Sequence, residues 1–168
     1  MKNYSDPFKI LTKEHEASLS HLERMSNAVE HIRVKGFSYE AFVQISKAIR
    51  FIGTATRSHN QREEKYLLPL LDLHANGTSR TILYERREIW RAYHDLLKCV
   101  EDIEEGRVHA RIVHDLVQSA TSLIELLSKQ IARENEDLFP QAMRLLTPME
   151  YHQLSEQIIR EESSIPSM

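Results

Sequence analysis

Cysteine, glycine and proline are scarce in this sequence, and long apolar runs are missing. The 168 residues include one cysteine, four glycines and five prolines. Because Cys99 is alone, an intrachain disulfide is excluded, which favours a reducing compartment. The N-terminal residues MKNYSDPFKI lack the apolar run of a secretory signal, and no stretch approaches the length of a membrane span. The sequence therefore predicts a cytoplasmic protein.

The charge balance is close to neutral. The formal net charge is −3, and the charged residues, 28% of the chain, alternate in sign along it. A near-neutral chain gives no reason to expect nucleic acid or a membrane surface as a partner. Interleaved charges are typical of solvated helix faces. The length suits one domain, which we predict to cover residues 1–168.

Apolar residues recur at steps of three and four, the period of an amphipathic helix. Asp6 and Ser38 are suited to cap the first two helices. No β-strand pattern is visible, so we predict an all-α, up-down-up-down four-helix bundle with a short C-terminal fifth helix. Its core covers about residues 7–146, and Pro69 and Pro140 are expected to kink the second and fourth helices. The predicted helices span about 7–33, 39–73, 80–105, 108–146 and a short stretch after Thr147.

Polar side chains interrupt the apolar stripes of all four long helices. His59 and Glu63 stand one helical turn apart, and the chain repeats this spacing 71 residues later in Gln130 and Glu134. A buried carboxylate needs a cation, a hydrogen-bond network or a metal. Each residue alone could be a hydrogen-bonded core residue, whereas imidazoles and carboxylates gathered at one level indicate a transition-metal site. The inward-facing candidates are His15, His59, Glu63, His94, Gln130 and Glu134.

Signals for other kinds of chemistry are missing. The sequence contains neither the Glu-x-x-His spacing of ferritin-like bundles nor the His-Glu-x-x-His signature of zinc proteases. It also lacks a nucleophile with a neighbouring base and a glycine-rich phosphate loop. These absences favour a binding protein over an enzyme.

This pattern resembles the hemerythrin family, in particular its HHE cation-binding branch, over about residues 7–146. The resemblance implies a non-haem di-iron centre in which His15, His59 and His94 are terminal ligands while Glu63 and Glu134 bridge the irons. Family members bind oxygen or nitric oxide, sense oxygen or iron, or help to repair iron–sulfur clusters. The matching motifs are Glu14-His15, His59 to Glu63 with Leu68-Pro69, Tyr93-His94, and Gln130 to Glu134 with Leu138-Phe139-Pro140.

Gln130 stands where the family pattern has a histidine. A neutral amide oxygen is a poor iron ligand beside imidazole, so one iron would lack a ligand. The outcomes are an open position filled by water, a single metal, or no metal, and Tyr66 or Tyr93 is an alternative source of a ligand. We predict a mono- or di-iron protein, with another divalent metal possible, that binds or senses O2 or NO or handles iron. The alternative is a metal-free helical scaffold or interaction module; the oligomeric state stays open.

Overall fold

The computed structural model describes residues 5–162, and this part of the chain forms five helices without strands. The predicted all-α bundle with a short C-terminal helix is confirmed. Residues 1–4 and 163–168 of the predicted domain lie outside the described residues. The helices are α1 (Pro7–Lys35), α2 (residues 39–74), α3 (Thr78–Glu104), α4 (residues 110–145) and α5 (Pro148–Glu162).

The predicted caps begin the first two helices. The Asp6 carboxylate accepts a hydrogen bond from the Phe8 amide at 2.9 Å, and Pro7 occupies the first turn. The Ser38 hydroxyl accepts from the Ala41 amide at 3.2 Å. These bonds satisfy amides that have no partner within the helix. Helix α1 packs against α2 and α4, while α3 packs against α4 and the C-terminal part of α2. No helix within residues 5–162 is long and apolar enough to cross a membrane.

Helices α2 and α4 contain wide π-helical turns at matching places. One turn begins at Glu63 and the other at Glu134, and each ends two residues before a proline, Pro69 or Pro140. Because proline cannot donate a backbone hydrogen bond and clashes with the carbonyl four residues earlier, regular α-helix is disfavoured there. The predicted disturbance at each proline therefore takes the form of a π turn that precedes it. The π turns are Ile52–Thr56 and Glu63–Leu67 in α2 and Glu134–Leu138 in α4.

The apolar core is divided into two clusters. The large apolar cluster contains buried residues from 22–32, 41–52, 89–103 and 116–131. The small apolar cluster contains buried residues from 8–11, 67–71, 138–142 and 154–158, with Ile82. Along each long helix the inward polar residues fall between or at the edge of these clusters. The fold thus places one polar layer between two apolar ones.

One of the predicted site residues does not face inward. On α3, Tyr93 is buried, but His94 is exposed. Consecutive residues of an α-helix point about 100° apart, and the core lies on the side of Ala92 and Tyr93, so the next side chain, His94, turns to the surface. The inward placement of His94 is therefore wrong. The buried stripe of α3 is Ile82, Arg86, Ile89, Tyr93, Leu96, Val100 and Ile103.

Candidate metal centre

Four of the six predicted site residues meet inside the polar layer. His15 comes from α1, His59 and Glu63 come from α2, and Glu134 comes from α4. All four are at most 3% exposed. One potential ligand atom from each lies within 4.8 Å of those of the other three. The shortest separations are 2.8 Å between His15 Nε2 and Glu134 Oε2 and 2.9 Å between His59 Nε2 and Glu63 Oε1.

The atoms at the centre of this cluster lack hydrogen-bond partners. Within the described part of the chain, no hydrogen bond is formed by His15 Nε2, His59 Nε2, Glu63 Oε1 or Glu134 Oε2. These atoms instead contact one another in two His–Glu pairs, so two imidazoles and two carboxylates converge on one point, the arrangement expected around a common cation. Around a first-row metal, ligands about 2.0–2.2 Å from the ion stand at most about 4.4 Å apart. The cluster nearly meets that spacing, and its donor set fits a metal.

Hydrogen bonds outside the cluster orient both imidazoles. His15 Nδ1 lies 2.7 Å from Asn135 Oδ1, and His59 Nδ1 lies 2.6 Å from Glu14 Oε2. Because both partners are oxygen acceptors, each Nδ1 carries the hydrogen and each Nε2 can direct its lone pair into the cluster. Glu14 is itself fixed by Arg62, whose Nη2 donates to Glu14 Oε1 at 2.6 Å. Such carboxylate–histidine pairs are the usual support of metal-ligating histidines.

A buried arginine that the sequence analysis missed occupies the other side of the carboxylates. Arg86 Nη2 donates to Glu63 Oε2, and to Glu134 Oε1 at 3.1 Å. Its Nη1 donates to Glu64 Oε1 at 2.9 Å and to the Asn60 carbonyl oxygen at 3.1 Å. The guanidinium therefore holds the oxygens that face away from the histidines. Position 86 falls on the buried stripe of α3, four residues after Ile82, but the sequence alone does not show which acids would neutralise an arginine there.

Gln130 lies beside the cluster, 5% exposed, and touches it through its amide nitrogen. Its Nε2 donates to Glu134 Oε1, the same oxygen that Arg86 contacts, while its Oε1 has no hydrogen-bond partner among the described residues. The amide N–H orients the carboxylate and offers no lone pair to a metal. Gln130 and Glu134 also line a cavity of about 230 Å³ between α3 and α4.

The charges of the cluster compensate one another. Burial alone lowers the pKa of His59, but Glu63 and Glu14, with Glu134, outweigh it and raise that pKa to about 9. Burial alone raises the pKa of Glu63, but His59 and Arg86 outweigh it and lower that pKa to about 2. Burial also disfavours charge on Arg86, yet Glu63 and Glu134 keep its pKa above the usual range. A metal ion entering the cluster would displace a proton from His59.

The remaining predicted candidates lie elsewhere. His94 lines an outer pocket together with Arg57 and Trp90. The hydroxyl of Tyr66 donates to Glu161. The hydroxyl of Tyr93 packs directly against Gly53, where a Cβ atom would clash with it. Neither tyrosine hydroxyl therefore supplies a replacement ligand in this arrangement.

Comparison with known proteins agrees with this geometry. A family model, described as the hemerythrin HHE cation binding domain, matches residues 6–142. The matched region covers most of the chain and includes the whole cluster, together with Arg86 and Gln130. No curated protein matches the chain.

Proposed function

Because the chain belongs to the hemerythrin family of HHE cation-binding domains, we propose that its buried cluster binds a single iron ion. The ligands are the four side chains that meet in the polar layer: His15, His59, Glu63 and Glu134. Two imidazoles and two carboxylates form a donor set that suits iron, with manganese or zinc as competitors. The observation that carries the proposal is the convergence of four buried ligand atoms, one from each residue, within 4.8 Å of one another.

Arg86 is the reason for proposing one metal instead of two. A bridging carboxylate gives one oxygen to each of two cations. Here one oxygen of Glu63 and one of Glu134 face Arg86, while the other two oxygens face the histidines. The guanidinium thus supplies the positive charge that a second metal would bring. A second dication beside it would be repelled, strongly so in a buried site.

A single iron in this cluster would have room for a small ligand. Four protein ligands leave positions open in a six-coordinate ion, and an open position is what binding of O2 or NO requires. The cavity of about 230 Å³ lined by Gln130 and Glu134 provides space next to one of the four ligands. We propose that the protein binds or senses O2 or NO through this centre.

The test is the metal content of protein purified without chelator and of protein reconstituted anaerobically with ferrous iron. We expect about one iron per chain and an ultraviolet–visible spectrum that changes when O2 or NO is added. His59→Ala should abolish iron binding. His152→Ala is the matched control, because His152 and Glu156 form a pair of the same spacing on the surface of α5, 3.4 Å apart. Two irons per chain would refute the single-metal proposal, and no iron would refute metal binding.

A metal-free scaffold is the second candidate, and the charge balance of the cluster favours it. With His59 protonated, the buried carboxylates of Glu63 and Glu134 already face His59 and Arg86. If the site is vestigial, replacing His59 and Glu63 by leucine and methionine should keep or raise stability, as for other buried ion pairs. If the site binds iron, adding ferrous iron should raise Tm in the wild type and not in this variant.

A further inference from the structure

A second pocket, which we call the arginine pocket, lies on the outer side of Arg86 between α2 and α3. Its volume is about 630 Å³, which is within the range of small-molecule sites. None of the four clustered ligands lines it. The side chains that matter for its chemistry are Arg57, Asn60, Arg86, Arg87, Trp90 and Arg91.

Buried hydrogen-bond donors without partners are concentrated at this pocket. Within the described residues, Asn60 Nδ2, Arg57 Nε and Arg86 Nε are buried and make no hydrogen bond. Asn60 is 3% exposed and Arg86 is 2% exposed, so water does not readily satisfy them. Each of these atoms can only donate. Three donors without partners, all on side chains that line one pocket, favour a ligand that brings acceptor oxygens.

Arg57 brings a positive charge that no acid of the described chain neutralises. Its guanidinium lies 4.5 Å from the centre of the Trp90 ring and 5.2 Å from that of Tyr93. No ion pair of Arg57 is found within residues 5–162. The aromatic faces hold the guanidinium in place without cancelling its charge, so its N–H edge stays available to an anion.

The acidic groups near the pocket do not cancel this charge. Glu64 is the carboxylate in the lining, and it is already paired with Arg86 at 2.9 Å. Arg91 is paired with Glu88 at 3.0 Å, outside the lining. Arg57 and the exposed Arg87 remain to make the pocket electropositive.

We propose that the arginine pocket binds a small oxyanion, the phosphate or carboxylate group of a small-molecule ligand. Guanidinium groups match both anions through paired N–H donors, and such charge-assisted bonds are the strong ones. Asn60 and Arg86 line the inner side of the pocket and carry further donors without partners. The pocket contains none of the four proposed metal ligands, and Arg86 is the residue that lies between the two sites.

Binding in the arginine pocket can be followed by the fluorescence of Trp90, because it is the only tryptophan of the chain. We would titrate the full-length protein with inorganic phosphate and, separately, with succinate, at constant ionic strength in chloride buffer. Saturable change of the Trp90 fluorescence with phosphate alone identifies a phosphate site, and with succinate alone a carboxylate site. Either result, or both together, supports the proposal. No saturable change with either anion overturns it.

Variants distinguish the pocket from general attraction of anions. Arg57→Gln should raise the observed Kd at least about tenfold, because a charge-assisted hydrogen bond is lost. Should Arg57→Gln unfold, Arg87→Glu reverses an exposed charge of the same lining and should weaken binding similarly. Arg107→Gln removes an exposed charge outside the pocket and should leave the Kd within about twofold. Equal affinities in all folded variants would show nonspecific binding and overturn the proposal.

Discussion

Replacing Arg86 with methionine tests the central feature of the polar layer. The substitution keeps an unbranched apolar stem but removes a guanidinium that donates to Glu63, Glu64, Glu134 and the Asn60 carbonyl. Two of those carboxylates are almost completely buried. Removing one partner of a buried ion pair costs about 3–5 kcal/mol, because the remaining charge stays in a poor solvent. We expect a loss of that size in the free energy of unfolding of the metal-free protein.

The measurement is urea denaturation in the presence of chelator, followed by circular dichroism. Arg107→Met is the matched control, since Arg107 is an exposed arginine with ion pairs to Asp102 and Glu105. Its loss should leave the free energy of unfolding nearly unchanged, because exposed ion pairs contribute little. Arg86→Lys keeps the charge and should fall between the two. An Arg86→Met protein as stable as the control would mean that the carboxylates do not depend on the guanidinium.

The Arg86→Met variant also tests how many metal ions each chain binds. With Arg86 removed, one oxygen of Glu63 and one of Glu134 lose their cation, so an added divalent metal can take its place. We expect excess ferrous iron to restore part of the lost stability and to raise the iron content above one per chain. A variant that still binds one iron would show that something other than Arg86 limits the site.

Two further predictions concern the surroundings of the cluster. In the metal-free protein, the raised pKa of His59 stabilises the folded state fully below about pH 6.5, and this stabilisation, up to about 3 kcal/mol, is lost as the pH rises towards 9. The Tm of the wild type, measured with chelator, should therefore fall over that pH range. The Tm of His59→Gln should change less. Gly53→Ala should destabilise by about 1–3 kcal/mol, because the new methyl group meets the Tyr93 ring; a Tyr93→Phe, Gly53→Ala double variant that recovers nothing would argue against this contact.

Local sequence patterns predicted most of the fold. The helix boundaries follow from apolar periodicity and from caps such as Asp6 and Ser38, all of which act within a few residues. The close approach of His59 and Glu63 could also be predicted from local sequence, because residues four apart share a helix face. These features required no knowledge of how one helix packs against another.

The residues that α3 contributes to the polar layer could not be predicted from local patterns. Tyr93 and His94 are neighbours, and both are plausible core residues by type. The rotation of α3 against α2 and α4 decides between them, and this depends on contacts distant in sequence. The same rotation turns Arg86 inward, where Glu63 of α2 and Glu134 of α4 neutralise its charge. The π turns at those glutamates also require an added residue that helical periodicity does not reveal.

The division of the core into two apolar clusters has a consequence for folding cooperativity. The small apolar cluster joins α5 to the N-terminal end of α1 and the proline-containing ends of α2 and α4. It is linked to the large apolar cluster through the polar layer, which contributes little apolar burial. Local opening of this end should therefore need less free energy than global unfolding. A metal bound by residues of α1, α2 and α4 would hold these three helices together next to the small apolar cluster. Amide hydrogen exchange in α5 should therefore slow when metal binds, although α5 supplies no ligand.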